Sequence, residues 1–168
     1  MTSGIHHLTL ITRKVQANVD FYAGFLGLRI VKQTGGFEDA EQLHLFYGDR
    51  SGTPGSLITF LVWEDGARGR VGHCQVSEIA LAIDRTSVGF WLERALRYHV
   101  QSEGPVQEFG EPVLRLRDPD GVIVKLVGSD LAANDAWVSG DIPAEHVVRR
   151  IRSATILSEA PEQTVGFI

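Results

Sequence analysis

The hydrophobic and polar positions along the chain predict a module in which a helix follows the first strand. Residues 4–12 alternate in part between apolar and polar side chains, which is typical of a strand. Residues 16–26 carry apolar side chains at helical spacing and end at Gly27, a residue that readily forms a left-handed helix cap. Apolar runs separated by glycine-rich turns predict three further strands, at Leu28–Lys32, Leu43–Tyr47 and Leu57–Val62. Residues 4–65 are therefore predicted to form a βαβββ module.

The same order of elements returns after the connector Gly66–Gly72. A strand is predicted at Val76–Ile83 and a helix at Val88–His99. Further strands are predicted at His99–Gln101, Val113–Arg117 and Val122–Val127, the last after the turn Asp118–Gly121. Residues 73–131 thus form a second βαβββ module. Together the modules are predicted to make one domain, residues 4–131, and residues 132–148 are a linker.

The pattern then begins a third time. The stretch Ile5–Thr12 reappears as Ile151–Ser158, and Val19–Phe21 reappears as Val165–Phe167 at the same offset, which makes coincidence improbable. Residues 149–168 are interpreted as the start of an incomplete third module, and the chain as part of a longer polypeptide. Without sister strands of its own, this strand is expected to be disordered, paired with a neighbouring chain or docked on the second module.

Composition and charge exclude several classes of function. The 168 residues are 43% hydrophobic, which is enough for a substantial core. A net charge of −5 with interleaved signs offers no basic stripe for nucleic acid, and no apolar run approaches the roughly 20 residues that span a membrane. The single cysteine, Cys74, excludes an internal disulfide, and no signal peptide is evident at the start. We expect a cytoplasmic protein.

A series of short motifs, in this order and spacing, resembles the vicinal oxygen chelate superfamily of glyoxalases, bleomycin-resistance proteins and extradiol dioxygenases. More narrowly, the chain is similar to the N-terminal half of the dioxygenases that cleave hydroquinone-type rings. Ile142–His146 resembles the segment that leads into the second half of these enzymes. The other motifs are Gly4–Thr9, Asn18–Tyr22, Leu26–Arg29, His44–Asp49, Gly52–Gly55, Arg68–Gly72, Phe109–Glu111 and Asp118–Gly121.

The resemblance implies an α+β fold of paired βαβββ modules, whose sheets form a curved, half-open barrel with helices outside. It also implies a divalent metal, Fe(II) or Mn(II), in a complete polypeptide of four modules. His7 would be one metal ligand, and the other two, a His and a Glu, would lie in the fourth module beyond residue 168. His6 and Thr9 match positions around the metal that help to place the substrate or the bound oxygen species.

The residues by themselves leave alternatives open. Strand alternation puts His7 and Thr9 on one face, whereas His6 needs a local twist to join them. A lone strand histidine is otherwise a structural residue, and His6 and Thr9 also suit a surface imidazole and a strand former. In the second module, Glu78 lies near the position of His7, but Lys125 replaces the expected carboxylate and argues against a metal there.

His44 is expected to have a structural role, and His146 is expected to lie at the surface near an element end. Neither position suggests catalysis.

The leading hypothesis is the N-terminal part of a metal-dependent, ring-cleaving dioxygenase that takes a small aromatic substrate and dioxygen and is inactive as 168 residues alone. One alternative is a metal-free binding module of the bleomycin-resistance type, in which two chains enclose a hydrophobic ligand. Another is a glyoxalase-type isomerase or lyase. An apolar surface including Ile5 and Ile11 is expected to be uncovered, so the partner is a second copy in a homodimer or the missing C-terminal half.

Overall fold

The computed structural model describes residues 4–35, 42–133 and 135–167. The strands are β1 (His7–Thr12), β2 (Arg29–Gly35), β3 (Leu43–Gly48), β4 (Leu57–Val62), β5 (Val76–Ile83), β6 (Ser102–Glu108), β7 (Glu111–Arg117), β8 (Ile123–Gly128) and β9 (Arg150–Ile156). The helices are α1 (Val15–Val19), which continues as a wider π-helical segment (Asp20–Phe25), α2 (Val88–Arg97) and α3 (Pro161–Phe167). No helix in this described part of the chain is long and apolar enough to span a membrane.

The strands form two separate sheets, one for each module. The first has the order β1-β4-β3-β2 and the second the order β6-β7-β8-β5-β9. In both modules the first strand runs parallel to the last, β1 beside β4 and β5 beside β8, while the other neighbours are antiparallel. The predicted α+β class with paired βαβββ modules is therefore confirmed. Neither sheet closes into a barrel.

One predicted strand lies differently from the expectation, and another takes one of the arrangements expected for it. The strand predicted at His99–Gln101 begins later, as β6, because His99 takes a left-handed backbone conformation with φ of 55° and turns the chain after α2. The strand of the incomplete third module is ordered. This strand, β9, pairs antiparallel with β5, with Ile151 opposite Leu81. Of the three arrangements considered for this strand, the structure therefore has it docked on the second module.

One hydrophobic core joins the two modules. Alternating residues of β3 and β4 face inward, and the helices of both modules pack against them. The π-helical segment brings Phe25 against the fully buried Trp91 of α2, with ring centroids 5.8 Å apart, and Tyr22 against Phe60 at 4.6 Å. Offset and edge-on contacts of this kind add to the burial of apolar area. The two modules thus share their core through their helices.

A buried arginine ties together the parts that meet in this core. Arg94 of α2 is 2% exposed. Its Nε donates to the carbonyl of Phe25 at 2.8 Å, and its Nη2 to that of Gly24 at 3.0 Å. These carbonyls end the first helix, where the helix dipole is negative. Its Nη1 pairs with the carboxylate of Asp141, in the linker, at 2.7 Å.

Two aspartates of one turn form a second link between the modules. Asp118 precedes β8 and is buried, and its Oδ1 accepts from the backbone N–H of Asp120 and Val122. The hydroxyl of Tyr22 donates to its Oδ2 at 3.0 Å, and that of Thr12 donates to Asp120 at 2.6 Å. Burial raises the pKa of Asp118. The turn thus anchors the second sheet to the first strand and helix.

We predict that Arg94→Met, which keeps much of the aliphatic stem, lowers the free energy of unfolding by about 2–4 kcal/mol, because the buried carbonyl of Phe25 loses its donor and the contacts to Gly24 and Asp141 are lost as well. Arg97→Met is the matched control on the same helix, where the exposed pair with Glu93 should contribute less than about 0.5 kcal/mol. Urea unfolding measures both. Equal losses for the two variants would contradict the role given to Arg94.

Candidate functional site

The first strand lies at the edge of its sheet and presents one face to the outside. Leu8 and Leu10 pack toward the core, while His7, Thr9 and Ile11 are exposed on the opposite face. This alternation agrees with the predicted strand pattern. The candidate residues His7 and Thr9 therefore share one exposed face of the sheet.

The neighbouring strands continue this face. Thr9 pairs in register with Thr59 of β4, and their hydroxyls are hydrogen-bonded at 3.0 Å. Thr59 in turn pairs with Phe46 of β3. One row across the sheet therefore combines two hydroxyl groups with an aromatic ring, close to the start of β1.

His6 and His7 contact each other although they are adjacent in sequence. Their Nδ1 atoms are 3.0 Å apart and their rings meet edge-on. His6 lies just before β1, so strand alternation does not hold it on the far side. Only one of the two nitrogens carries the shared proton. When His7 is the donor, its Nε2 keeps a free lone pair, which is the form of imidazole that binds a metal.

His44 lies on β3, paired with Leu61, which is itself paired with Ile11. Its ring packs on Phe46 with centroids 4.2 Å apart. Burial lowers the pKa of His44, and the nearby ammonium group of Lys32 lowers it further, so this imidazole is neutral at pH 7. The structural role expected for His44 agrees with this packing.

The described residues alone do not form a metal site. No three His, Cys, Asp or Glu side chains in residues 4–35, 42–133 and 135–167 converge on a common point. An exposed imidazole such as that of His7 is chemically suited to be one ligand of Fe(II) or Mn(II), and Nδ1 of His6 lies 3.0 Å from its Nδ1. A stable centre for these ions needs further donors, usually including a carboxylate.

The second sheet has a different set of side chains at the matching position. Glu78 opposes the first residue of β8, just as His7 opposes the first residue of β4. Its carboxylate is 2.7 Å from Nζ of Lys125, which also contacts Glu108 at 3.1 Å. Arg115 pairs with both glutamates, and Thr155 of β9 donates to Glu78. Glu78 is therefore held by cations and is not a spare metal ligand.

The charges of this cluster shift the pKa values of its members. Burial raises the pKa of Glu78, but the hydrogen bond and charge of Lys125 outweigh it, so the pKa lies below its usual range. Burial lowers the pKa of Lys125, and the two glutamates reverse this and raise it. Both groups are thus held in their charged forms.

His146 differs from the expectation of a surface imidazole. It is half-buried in the linker, its ring stacks on Phe90 at 4.4 Å, and its Nδ1 is 2.8 Å from the hydroxyl of Ser87. These contacts fasten the linker to the start of α2. Sequence reasoning missed them because the partners lie far away along the chain.

The fold agrees with the result of comparison with known families. The sequence model of the Glyoxalase/Bleomycin resistance protein/Dioxygenase superfamily matches residues 4–126. The chain belongs to this superfamily.

The curated relatives that the chain matches carry names of dioxygenases. The chain is 35% identical over 99% of its length to MhqO of Bacillus subtilis, provisionally named a ring-cleaving dioxygenase, and covers 53% of that protein. It is 30% identical over 98% of its length to the chlorohydroquinone/hydroquinone 1,2-dioxygenase of Sphingobium indicum, again covering 53%. The chain thus spans about half the length of the curated relatives it matches.

Solved structures support the same fold. A crystal structure of a provisionally named dioxygenase from Bacillus subtilis aligns with a TM-score of 0.94 at 35% identity, over 99% of this chain and 53% of that one. The fosfomycin resistance protein FosX of Listeria monocytogenes, solved with Mn(II), aligns with a TM-score of 0.59 at 19% identity, over 78% of this chain and 96% of that one. At this identity the likeness to FosX concerns the fold alone.

We predict that Glu78→Gln lowers the free energy of unfolding by about 1–2 kcal/mol at pH 7. The pKa of Glu78 is lower in the folded chain than in the unfolded one. Its ionised form therefore stabilises the fold above the unfolded pKa of about 4.3, and this contribution is lost as the pH falls through the folded value. The difference between variant and wild type should accordingly shrink in acid.

Urea unfolding between neutral and acidic pH measures this difference. Glu103→Gln is the control, because Glu103 forms an exposed pair with Arg117 at 3.7 Å that should contribute less than about 0.5 kcal/mol. A loss for Glu78→Gln that stays constant with pH would show that packing, and not charge, is responsible.

Proposed function

We propose that this chain supplies the first half of a metal-dependent, ring-cleaving dioxygenase that acts on small aromatic substrates of the hydroquinone type with dioxygen. The observation that carries the proposal is the His6–His7 pair on an open sheet face, in a chain whose curated relatives are named dioxygenases. The chain spans only part of those relatives, so the activity is proposed for a complete assembly and not for the 168 residues alone.

In this proposal His7 is one ligand of an Fe(II) or Mn(II) ion, and the remaining ligands come from modules outside this chain. When bound, such an ion acts as a Lewis acid and as a conduit for electrons between an aromatic hydroxylate and dioxygen. His6 accepts the Nδ1 proton of His7 and so keeps the Nε2 lone pair of His7 available. Among the described residues, only His7 is proposed as a ligand.

The other residues of the open face suit a flat aromatic molecule. Ile11 and Leu61 are paired across β1 and β4, and Phe46 lies beside Thr59 on the next strand. An apolar floor with a few polar groups is typical of sites for small organic ligands. The hydroxyl of Thr9, on the same face as His7, is proposed to position the substrate or the oxygen species.

A difference between the two sheets supports a partner site on the first one. The outer edge of β5 is covered by β9, whereas no strand in the described residues covers the outer edge of β1. On the adjoining face, Ile5 is 38% and Ile11 is 52% exposed. We propose that a further pair of modules covers this edge and face, or a second copy of the chain when those modules are absent.

We predict that the protein encoded by the complete reading frame containing this chain, loaded with Fe(II) or Mn(II), consumes dioxygen with hydroquinone and opens its ring. His7→Ala should lower metal content and ring cleavage by about a hundredfold or more, and His6→Ala should lower metal affinity by roughly 10–100-fold. Metal analysis and an oxygen electrode measure these quantities. The control is His73→Ala, because His73 is an exposed imidazole whose Nε2 lies 3.9 Å from the carboxylate of Glu159.

The isolated 168-residue chain is expected to hold little Fe or Mn. A stoichiometric metal content that His7→Ala leaves unchanged would contradict the assignment of His7. Tight binding of an aromatic ligand without metal or oxygen uptake would instead support the metal-free binding module.

We predict that the 168-residue chain self-associates at low micromolar concentration, because exposed apolar patches are commonly buried by twofold pairing. Ile11→Asp should shift the chain toward the monomer by placing a charge in the interface. Leu96→Asp is the control, because Leu96 is 67% exposed on α2, outside the sheet face. Sedimentation equilibrium measures the average mass of the wild type and of both variants, and only Ile11→Asp should lower it. A wild-type chain that is strictly monomeric would contradict the proposed use of this face.

A further inference from the structure

The turn between β3 and β4 is held rigid by a buried carboxylate. Asp49 is 5% exposed, and its Oδ1 accepts from the backbone N–H of Thr53 at 2.9 Å while its Oδ2 accepts from the hydroxyl of the same residue. The hydroxyl of Ser56 donates to the carbonyl of Thr53 at 2.8 Å. Because these bonds lie on both sides of Gly55, the peptide groups of Gly55 have a fixed direction.

Gly55 connects the candidate site to the second sheet. Its N–H donates to the carbonyl of His6 at 2.7 Å, and its carbonyl accepts from the N–H of Ile151 at 2.7 Å. His6 contacts His7 through the two Nδ1 atoms, and Ile151 is buried in β9. A continuous path of hydrogen bonds therefore runs from β9 through Gly55 to the His6–His7 pair.

The backbone at this position requires glycine. Gly55 has a φ of +89°, a conformation that side chains with a Cβ rarely adopt. A Cβ here would also lie 2.9 Å from Nη2 of Arg150 and 3.5 Å from the carbonyl oxygen of Ile5. The guanidinium of Arg150 can move away from a Cβ, but the positive φ strains any residue other than glycine, and relief of that strain would shift both peptide hydrogen bonds together.

We propose that Gly55 is a positioning residue: through its two peptide hydrogen bonds it sets the place of the His6–His7 pair relative to β9. The proposal rests on the role given above to His7. It adds that β9, acting through Gly55, determines the geometry of the His6–His7 pair. A backbone hydrogen bond at His6 matters because β1 is an edge strand with a neighbour on one side only. The start of β1 would otherwise be free to fray.

The test uses the isotope-labelled 168-residue chain and proton–nitrogen correlation spectra that distinguish the two neutral tautomers of histidine. The signals are assigned with His6→Gln and His7→Gln. In the wild type at mildly alkaline pH, His7 is expected to carry its proton on Nδ1 and His6 on Nε2. Gly55→Ala should abolish this difference and accelerate the hydrogen exchange of the Ile151 amide by about tenfold.

The matched control is Gly110→Ala. Gly110 has a φ of +78° and open space around the position of a Cβ, so it imposes a similar backbone strain far from the histidines. This variant should lose comparable stability but keep the wild-type tautomers. Gly55→Asn, whose side chain tolerates positive φ better than alanine, serves if Gly55→Ala does not fold, and it should show a smaller change in the same direction.

The outcomes distinguish the role proposed for the His6–His7 pair from the role proposed for Gly55. If His7 of the wild type lacks the Nδ1 proton, the role proposed for the His6–His7 pair fails, and the positioning role of Gly55 fails with it. If the wild type shows that proton and the folded Gly55 variant retains it, as Gly110→Ala does, Gly55 is only a turn residue. Loss of the tautomer difference in the Gly55 variant alone supports the positioning role.

Discussion

The buried guanidinium of Arg94 is the interaction on which the arrangement of the two modules depends. A charge at this depth is tolerated only because its donors reach two helix-end carbonyls and the carboxylate of Asp141. These three acceptors belong to the first helix and to the linker, whereas the arginine belongs to α2. The hydrogen bonds of this one charge therefore hold together the first module, the second module and the linker that leads to β9.

The two sheets show how one repeated unit has acquired two different surfaces. At matching register positions, the first sheet presents His7 on an open face and the second presents Glu78 among Lys125, Arg115 and Glu108. An ion cluster of this kind satisfies its own charges and leaves none for a ligand. The candidate residues His6, His7 and Thr9 thus belong to the first sheet, while the matching position of the second sheet is stabilised by ion pairs within the chain.

Much of the fold was predictable because it follows from local pattern. The alternation in β1 and the helical spacing in α2 each show which face of the element is buried. This information lies in residues that are close together in sequence. The predicted strand at His99–Gln101 failed because a left-handed histidine carries no distinctive sequence signal. The burial of Arg94 could not be foreseen, since its partners lie far along the chain.

The candidate site was predictable to a similar extent. Its residues His6, His7 and Thr9 came from the family resemblance, and strand alternation placed the last two on one face. The contact between His6 and His7 depends on where β1 begins, and boundaries of elements are poorly determined by pattern. The ion pairs of Glu78 could not be derived either, because they need the register of strands that sequence leaves undetermined.

The position of β9 has a consequence for the order in which the chain folds during synthesis. All strands of the first sheet lie within residues 7–62, so that sheet can form as soon as this segment has left the ribosome. The outer edge of β5, by contrast, has no partner until residues 150–156 emerge. Contacts between such distant segments form late, and an unpaired edge attracts other chains meanwhile. The edge of β5 is therefore open to pairing with other chains throughout the interval between the synthesis of β5 and that of β9.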